Sequence, residues 1–353
     1  MAVTIRDVAR AAGVSPATVS RALSSPEIVN EVTRALVRQT ARSMGYRPNR
    51  NARGLIIGRS GTIGLVVPDL ENPFFGSICK GAQARAREVG YTVFIADTSE
   101  DPAAEREVFR DLGRQVDGII ICSARGTDDD IAQLASESPT VLINRRVDDI
   151  PAITYDHSSG VRAVMAHLTA LGHRRIAYAG GPTRSWSNSK RHAAIVESGR
   201  ELSGVEVLDL GNFPPYFSGG TEAGDLAIAS GATAVVAFND VMALGIMDRL
   251  GYRGLSVPGE MSVTGFDNVA VSTLVRPNLT TIDFPRIQMG RAAVDSLLGT
   301  VLGAPSGIPP FHEMPVQLVV RQSTGVPRER RPDAPRTGST ASVAGEELLD
   351  ADV

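Results

Sequence analysis

Residues 15–23 read SPATVSRAL, and Arg21 is the one long, charged side chain among them. A guanidinium presents a planar fork of donors that matches phosphates and the edge of guanine. Around it, residues 1–55 carry nine arginines (6, 10, 21, 34, 38, 42, 47, 50, 53) and three acids (Asp7, Glu27, Glu31), a balance of +6 in a chain of net charge −3. The remainder therefore carries −9. This split fits a basic module that meets a polyanion, and it also fits a solvated charged face; charge alone does not choose. Other candidates lie in later loops, PDLENPFF, NRR, GGPTRSWSNSKR, FND and GFDN. Carboxamides, carboxylates and guanidinium groups beside aromatic faces suit a ligand with many hydroxyls and an apolar ring face.

Catalytic signatures are missing. No G-x-G-x-x-G follows a strand, and there is neither a P-loop lysine pattern nor a G-x-S-x-G elbow. The five histidines lack metal spacing, and Cys79 and Cys122 stand far apart, which argues against a disulfide framework. No catalytic residue, metal site or cofactor is expected. The N-terminus has no basic-then-apolar leader, and no apolar run approaches the ~20 residues of a membrane span. A cytoplasmic protein without membrane contact is expected.

Three short helices must position the first candidates. Thr4 is an N-cap with Asp7 three residues on, and Ile5, Val8, Ala9 and Ala12 share one face. Gly13 suits the left-handed end of this helix. Ser15 caps a second helix with Pro16 in its first turn, Val19, Ala22 and Leu23 facing inward and Ala17, Ser20 and Arg21 outward. Asn30 caps a third, over 31–44, with Val32, Ala35, Leu36 and Met44 as its expected buried side. Two helices joined by a tight turn beginning with Gly form a helix-turn-helix, whose coincidence with the basic excess points to DNA. The polar, arginine-rich residues 46–60 follow, too short a segment to hold a helix alone in water.

From residue 61 apolar runs alternate with amphipathic helices. TIGLVV, YTVFIA, DGIIIC and TVLI form one series of strands; RIAYAG, VEVLDL, TAVVAF and MSVTGF form a second. Such alternation predicts two parallel-sheet α/β subdomains, divided near 155–159, with ligands at the carboxyl ends of the strands. From 326 the composition turns to Pro, Arg, Ser, Thr and acids, read as a disordered tail over 326–353 without coiled-coil heptads.

TIRDVARAAGVSPATVSRAL, NEVTRALVRQTARSMGYRPNRNARGL and GTIGLVVPDLENPFF together resemble the lactose-repressor (LacI/GalR) family of bacterial transcription regulators. GHRRIAYAGGP, AFNDVMALG, VTGFDNV and PNLTTIDFP agree, so the resemblance runs from residue 4 to about 325. It implies a small all-α helix-turn-helix headpiece (1–46), a hinge helix and linker (47–60), and an α/β core (61–325) like a periplasmic sugar-binding protein. The implied core has an N-subdomain, 61–157 and 285–312, and a C-subdomain, 158–284 and 313–325. It also implies a homodimer on pseudo-palindromic, double-stranded operator DNA, controlled by a small-molecule effector, commonly a sugar or polyol. A repressor is expected; an activator or a corepressed, purine-type regulator is the alternative, and a sugar-binding receptor or an enzyme is more remote.

In helix-turn-helix docking the second helix enters the major groove, which puts Pro16, Ala17, Ser20 and Arg21 against base edges. Ser15, Thr18, Asn30 and Tyr46 match family positions that touch phosphates, and Thr4 and Asn49 complete the DNA-facing set. Leu55, preceded by Ala52 and Arg53, matches a minor-groove wedge. Gly54 departs from the serine or alanine usual there and weakens a helix by ~1 kcal/mol. For the effector, the resemblance implies Phe74 and Phe75 as an apolar floor and Asn144 and Arg145 as hydroxyl partners. It adds Ser187, Asn188 and Arg191, with Trp186 as a stacking surface or lip, and Phe213, Asn239 and Asp267. Phe284 departs from the polar residue often found at its position, which favours a less polar or smaller ligand.

Overall fold

The computed structural model describes residues 3–24, 26–46, 59–304 and 306–328. The chain divides into two units, Met1–Thr154 with Pro285–Met314, and Tyr155–Phe284 with Pro315–Val353. The chain thus leaves the first unit after Thr154, returns at Pro285 and leaves again after Met314.

The first unit opens with three helices, α1 (Ile5–Ala12), α2 (Pro16–Ser24) and α3 (Glu31–Ser43). Thr4 and Asp7 close a reciprocal capping box on α1, and Gly13 ends it at φ 67°. Ser15 Oγ accepts the Thr18 amide at 3.0 Å, and Asn30 Oδ1 accepts the Val32 amide at 2.9 Å. The core these helices enclose is made of Val8, Ala9, Ala12, Val19, Ala22, Val37 and Ala41, with Ile5, Leu23, Met44 and Tyr46 half-buried against it. Here the structure corrects the expected face of α3. Val37 and Ala41 point inward, whereas Val32, Ala35 and Leu36 are exposed. Both sets have helical spacing, and only the contacts with α1 and α2 decide which one is covered.

The same unit holds a sheet of order β11-β5-β4-β3-β1-β2. Its members are β1 (Thr62–Val67), β2 (Thr92–Asp97), β3 (Ile119–Cys122), β4 (Thr140–Ile143), β5 (Ala152–Tyr155) and β11 (Phe311–Met314). Strands β1 to β5 pair in parallel. Helices start at legible caps: Asn72 and Pro73 begin α4 (Pro73–Glu88), Asp101 and Pro102 begin α5 (Pro102–Gly113), and Thr127 with Asp130 begins α6 (Asp128–Glu137). Helix α11 (Arg286–Leu302) lies against α4 at glycine contacts: a Cβ on Gly81 would sit 2.0 Å from the Ile287 carbonyl, and one on Gly290 2.2 Å from that of Ile78.

The second unit repeats the plan. A parallel sheet of order β7-β6-β8-β9 is built from β6 (Arg175–Gly180), β7 (Glu206–Asn212), β8 (Ala234–Ala237) and β9 (Ser262–Thr264). Its helices are α7 (His157–Ala170), α8 (Trp186–Glu201), α9 (Phe217–Ser230) and α10 (Asp240–Tyr252). Helices α9 and α10 meet as α4 and α11 do, Gly220 against the Met242 carbonyl and Gly245 against that of Phe217. A short antiparallel pair, β10 (Thr281–Asp283) and β12 (Gln317–Val319), completes the unit. Strands β5, β10, β11 and β12 were not expected from the hydropathy pattern. The chain remains tied to this unit past residue 325, because Arg328 pairs with Glu260 at 3.5 Å. Residues 329–353 of the expected tail lie outside the described residues.

Candidate nucleic-acid interface and effector residues

Helix α2 buries Val19 and Ala22 completely and leaves Pro16, Ala17, Ser20 and Arg21 exposed side by side. The result is a shallow face on which Arg21 alone reaches outward, held by no ion pair among the described residues. At its start the Ser15 and Thr18 hydroxyls share a hydrogen bond of 2.9 Å, beside amides that favour an anion. Thr4 is exposed, but its hydroxyl and amide both donate to Asp7 Oδ2, at 2.6 and 2.9 Å. Asn30 is exposed, with its oxygen occupied as a cap. Tyr46 is half-buried, and burial raises the pKa of its hydroxyl, keeping it a donor. Asn49, Ala52, Arg53 and Leu55 lie outside the described residues.

The effector candidates of the first unit cluster at strand ends. Phe74 and Phe75 are both buried in the first turn of α4, ring centroids 4.8 Å apart and edge to face. Asn144 follows β4 at φ 56° and donates its amide to Ser123 Oγ at 2.8 Å; Ser123 follows β3 at φ 52°. Arg145 is turned toward α6, where it donates to Asp128 Oδ1 at 2.6 Å and to the Gly126 carbonyl at 3.3 Å. The sequence reading missed a buried anchor nearby. Arg125 is clasped by Glu100 and the Ser123 carbonyl, while Glu105 accepts the amides of Arg125 and Gly126 at 2.9 and 3.0 Å. Burial pushes the Glu105 carboxyl up against the pull of those amides.

In the second unit the centre is Arg191 on α8, 3% exposed. It donates to the Phe238 carbonyl and, at 2.7 Å, to the Tyr155 hydroxyl, and stands 3.7 Å from Asp267 Oδ1. Its guanidinium lies 3.7 Å from the Phe266 ring centroid and 4.8 Å from that of Phe238. Its Nε is buried with no hydrogen-bond partner among the described residues. Tyr155 stacks on Phe284 at 3.9 Å, and His157 lies 4.2 Å from Tyr155 and 5.2 Å from Trp186. Burial, with Arg191 and Lys190 near, holds the His157 imidazole well below its ordinary pKa, so it is neutral.

Several other candidates have structural partners. Asn188 accepts from the Tyr178 hydroxyl and the Gly181 amide, both at 2.9 Å, and donates to Asn212 at 2.7 Å. Asn239 caps α10 through the Met242 amide and donates to the Pro215 carbonyl at 3.0 Å. These two shape loops with all the polar atoms of their carboxamides. Ser187 is buried, and Phe213 packs half-buried against the core of this unit. Tyr155, His157 and Phe266 join Arg191 without having been singled out by sequence; their only signal was an aromatic at or just beyond the end of an apolar run.

Backbone strain marks the same places. Of the seven non-glycine residues with positive φ among the described residues, six follow parallel strands: Ser99 and Glu100 after β2, Ser123 after β3, Asn144 after β4, and Asp267 and Asn268 after β9. Such conformations cost on the order of 1–3 kcal/mol each and gather where a ligand is held.

This combination, a small helix-turn-helix beside an α/β core with polar, strained strand ends, defines a DNA-binding regulator of the class built on a periplasmic-binding-protein core. Residues 4–49 match the family described as bacterial regulatory proteins, lacI family, and residues 60–321 match the periplasmic binding proteins and sugar-binding domain of that family. The chain belongs to the LacI family of bacterial transcription regulators. It is 36% identical over 303 residues to the HTH-type transcriptional regulator GalR of Escherichia coli (strain K12), covering 84% of this chain and 88% of that one. It is 31% identical over 335 residues to catabolite control protein A of Priestia megaterium, covering 92% and 100%. The lac repressor dimer bound to operator and the anti-inducer ONPF superimposes with a TM-score of 0.83 at 30% identity, covering 92% of this chain and all of that one.

Proposed function

We propose that the protein is a cytoplasmic repressor. It binds a pseudo-palindromic duplex as a homodimer, and a sugar or polyol held in the core sets its affinity. The observation that carries the DNA half is the exposed face of α2, where Pro16, Ala17 and Ser20 let the backbone approach base edges and Arg21 probes beyond them. The similarity to a lac repressor dimer on operator supports the assembly. In this reading Ser15, Thr18, Asn30 and Tyr46 touch phosphates, and Leu55, outside the described residues, is a minor-groove wedge at the operator centre.

For the effector, the partnerless Nε of Arg191 beside Asp267 is a donor and acceptor pair suited to adjacent hydroxyls, and the surrounding rings suit a sugar's apolar face. The stack of Phe284 on Tyr155 favours a ligand less polar than a disaccharide. An effector acts only by preferring one arrangement of the protein; a roughly 100-fold preference supplies about 2.7 kcal/mol. The core works as a binding device and catalyses no reaction. Its relatives DegA of Bacillus subtilis (strain 168) and GalR are HTH-type transcriptional regulators.

Two measurements test the DNA reading. Affinity for a partly symmetric duplex should fall on the order of 1,000-fold between 50 and 200 mM salt; binding indifferent to salt refutes it. Arg21→Ala should lose roughly 1–3 kcal/mol of discrimination at one base position per half-site across a panel of duplexes. Equal weakening on every duplex would instead place Arg21 on a phosphate.

A further inference from the structure

Arg59, Ser60 and Gly61 stand between residues 47–58, which lie outside the described residues, and the first residue of β1. They are exposed or half-buried and have no apolar side chain to bury, yet they are held from several sides. Asp117, two residues before β3, accepts the Ser60 amide at 2.6 Å, the Ser60 hydroxyl at 3.0 Å and the Gly61 amide at 2.9 Å. Gly61 stands at φ 68°, a left-handed conformation open to glycine. Its carbonyl accepts the Thr92 amide at 3.0 Å, and Arg59 donates to the Val301 carbonyl, in the last turn of α11, at 3.0 Å. Burial, and then the neighbouring Asp117 carboxylate, raises the pKa of the Tyr91 hydroxyl, so a neutral donor stands beside this grip.

Strand β1 does not depend on the Asp117 side chain. It pairs through its backbone with β2 and β3, and Ile63, Leu65, Val66 and Val67 are buried. The Asp117 amide donates to the Thr62 carbonyl at 2.8 Å, a bond that any substitution but proline keeps. What the carboxylate fixes is the point at which the chain coming from the headpiece meets the sheet. Residues 47–58 join Tyr46 to Arg59. Were Arg59, Ser60 and Gly61 released, the joining segment would be 47–61 and would reach up to about 10 Å further. That length equals about three base-pair steps of duplex at ~3.4 Å each.

We propose that Asp117 is a positioning residue for DNA binding. By clamping Ser60 and Gly61 it sets the length of chain available to each headpiece, and so the separation of half-sites that a homodimer spans. It acts through the residues it holds and not through a contact of its own with DNA. This consequence rests on the dimeric DNA reading above. Two linked modules lose avidity steeply once their tether no longer matches the span between sites.

The experiment uses the full chain and its Asp117→Ala and Asp117→Asn variants. A duplex is selected from a random pool with the unsubstituted chain, then remade with one, two or three base pairs inserted between its half-sites. The unsubstituted chain should lose roughly 100-fold in affinity at two inserted pairs, whereas Asp117→Ala should lose less than about 10-fold and bind the parent duplex within about 3-fold of the original. Asp117→Asn keeps the oxygen that meets Ser60 and sets a donor against the Gly61 amide, so it should fall between them. Hydrogen exchange in a peptide spanning 59–62 should quicken about 10-fold in Asp117→Ala. Equal spacing dependence in the unsubstituted and Asp117→Ala chains overturns the proposal, as does unchanged exchange. Loss of the parent duplex together with a lowered thermal transition of the α/β core would mark a general structural role and overturns it as well. Selection that recovers no duplex would refute the DNA reading, and the spacing claim with it, while the exchange still decides the clamp.

Discussion

Arg191→Met should abolish the effect of any effector on DNA binding and lower the stability of the second unit by about 3–5 kcal/mol, the range for breaking a buried charge pair. Three losses combine. Asp267, 5% exposed, loses the cation that stands 3.7 Å from it. The Tyr155 hydroxyl and the Phe238 carbonyl lose the donors that fix them. The Phe266 ring loses a guanidinium at 3.7 Å, in a buried setting where such a contact is worth about 2 kcal/mol. Methionine keeps most of the apolar stem, so the change reports charge and hydrogen bonding more than a cavity. Denaturant unfolding gives the stability, and duplex binding with and without sugars gives the response. Asp267→Asn separates the parts: it keeps the shape, removes the ion pair, and should cost less than Arg191→Met. A stable Arg191→Met protein that still answers an effector would move the site elsewhere.

Much of the headpiece was legible because its signals are local. Thr4 with Asp7, Gly13, Ser15 with Pro16, and Asn30 each act on backbone groups within a few residues, and each cap stands where the sequence put it. The outer face of α3 shows where such reading stops. Val32 and Leu36 have the spacing of a core stripe, yet spacing records only that a stripe exists. Whether it is covered depends on helices elsewhere in the chain. The short strands β5, β10 and β12 escaped for a related reason: AITY, TID and QLV lack the unbroken apolar run that marks β3 and β4, which are themselves no longer than four residues.

The effector candidates were legible by type and much less by use. Polar residues after strands stand out in the sequence, and two of them, Asn144 and Asp267, have positive φ. What each polar atom bonds is tertiary information. Asn188 and Asn239 satisfy their own loops, and Arg145 leans on Asp128. Arg191, in contrast, gathers partners from three distant stretches, Tyr155, Phe238 and the pair Phe266 and Asp267. No local motif encodes that convergence.

Val19→Asp is expected to remove duplex binding, by more than about 1,000-fold, while effector binding by the α/β core survives. Val19 is fully buried in a headpiece core of valines and alanines. A module of this size holds only a few kcal/mol of stability. A carboxylate placed there without a partner costs several kcal/mol, or must take up a proton to remain inside. Either cost exceeds what three short helices supply. The core draws its stability from separate apolar clusters, around Ile119, Ile121 and Leu142 in one unit and Val235, Ile246 and Val263 in the other. Circular dichroism should therefore lose only the helical signal of the first 46 residues, and the thermal transition of the core should remain. Lowering the pH should restore some duplex affinity, because protonation removes the buried charge. Retained duplex affinity at neutral pH would mean that α2 does not carry the DNA contact, and the face of Pro16, Ala17, Ser20 and Arg21 would lose its assigned role. Loss of effector binding together with duplex binding would mean that the headpiece and core fold as one cooperative unit, contrary to the separate clusters that each of them buries.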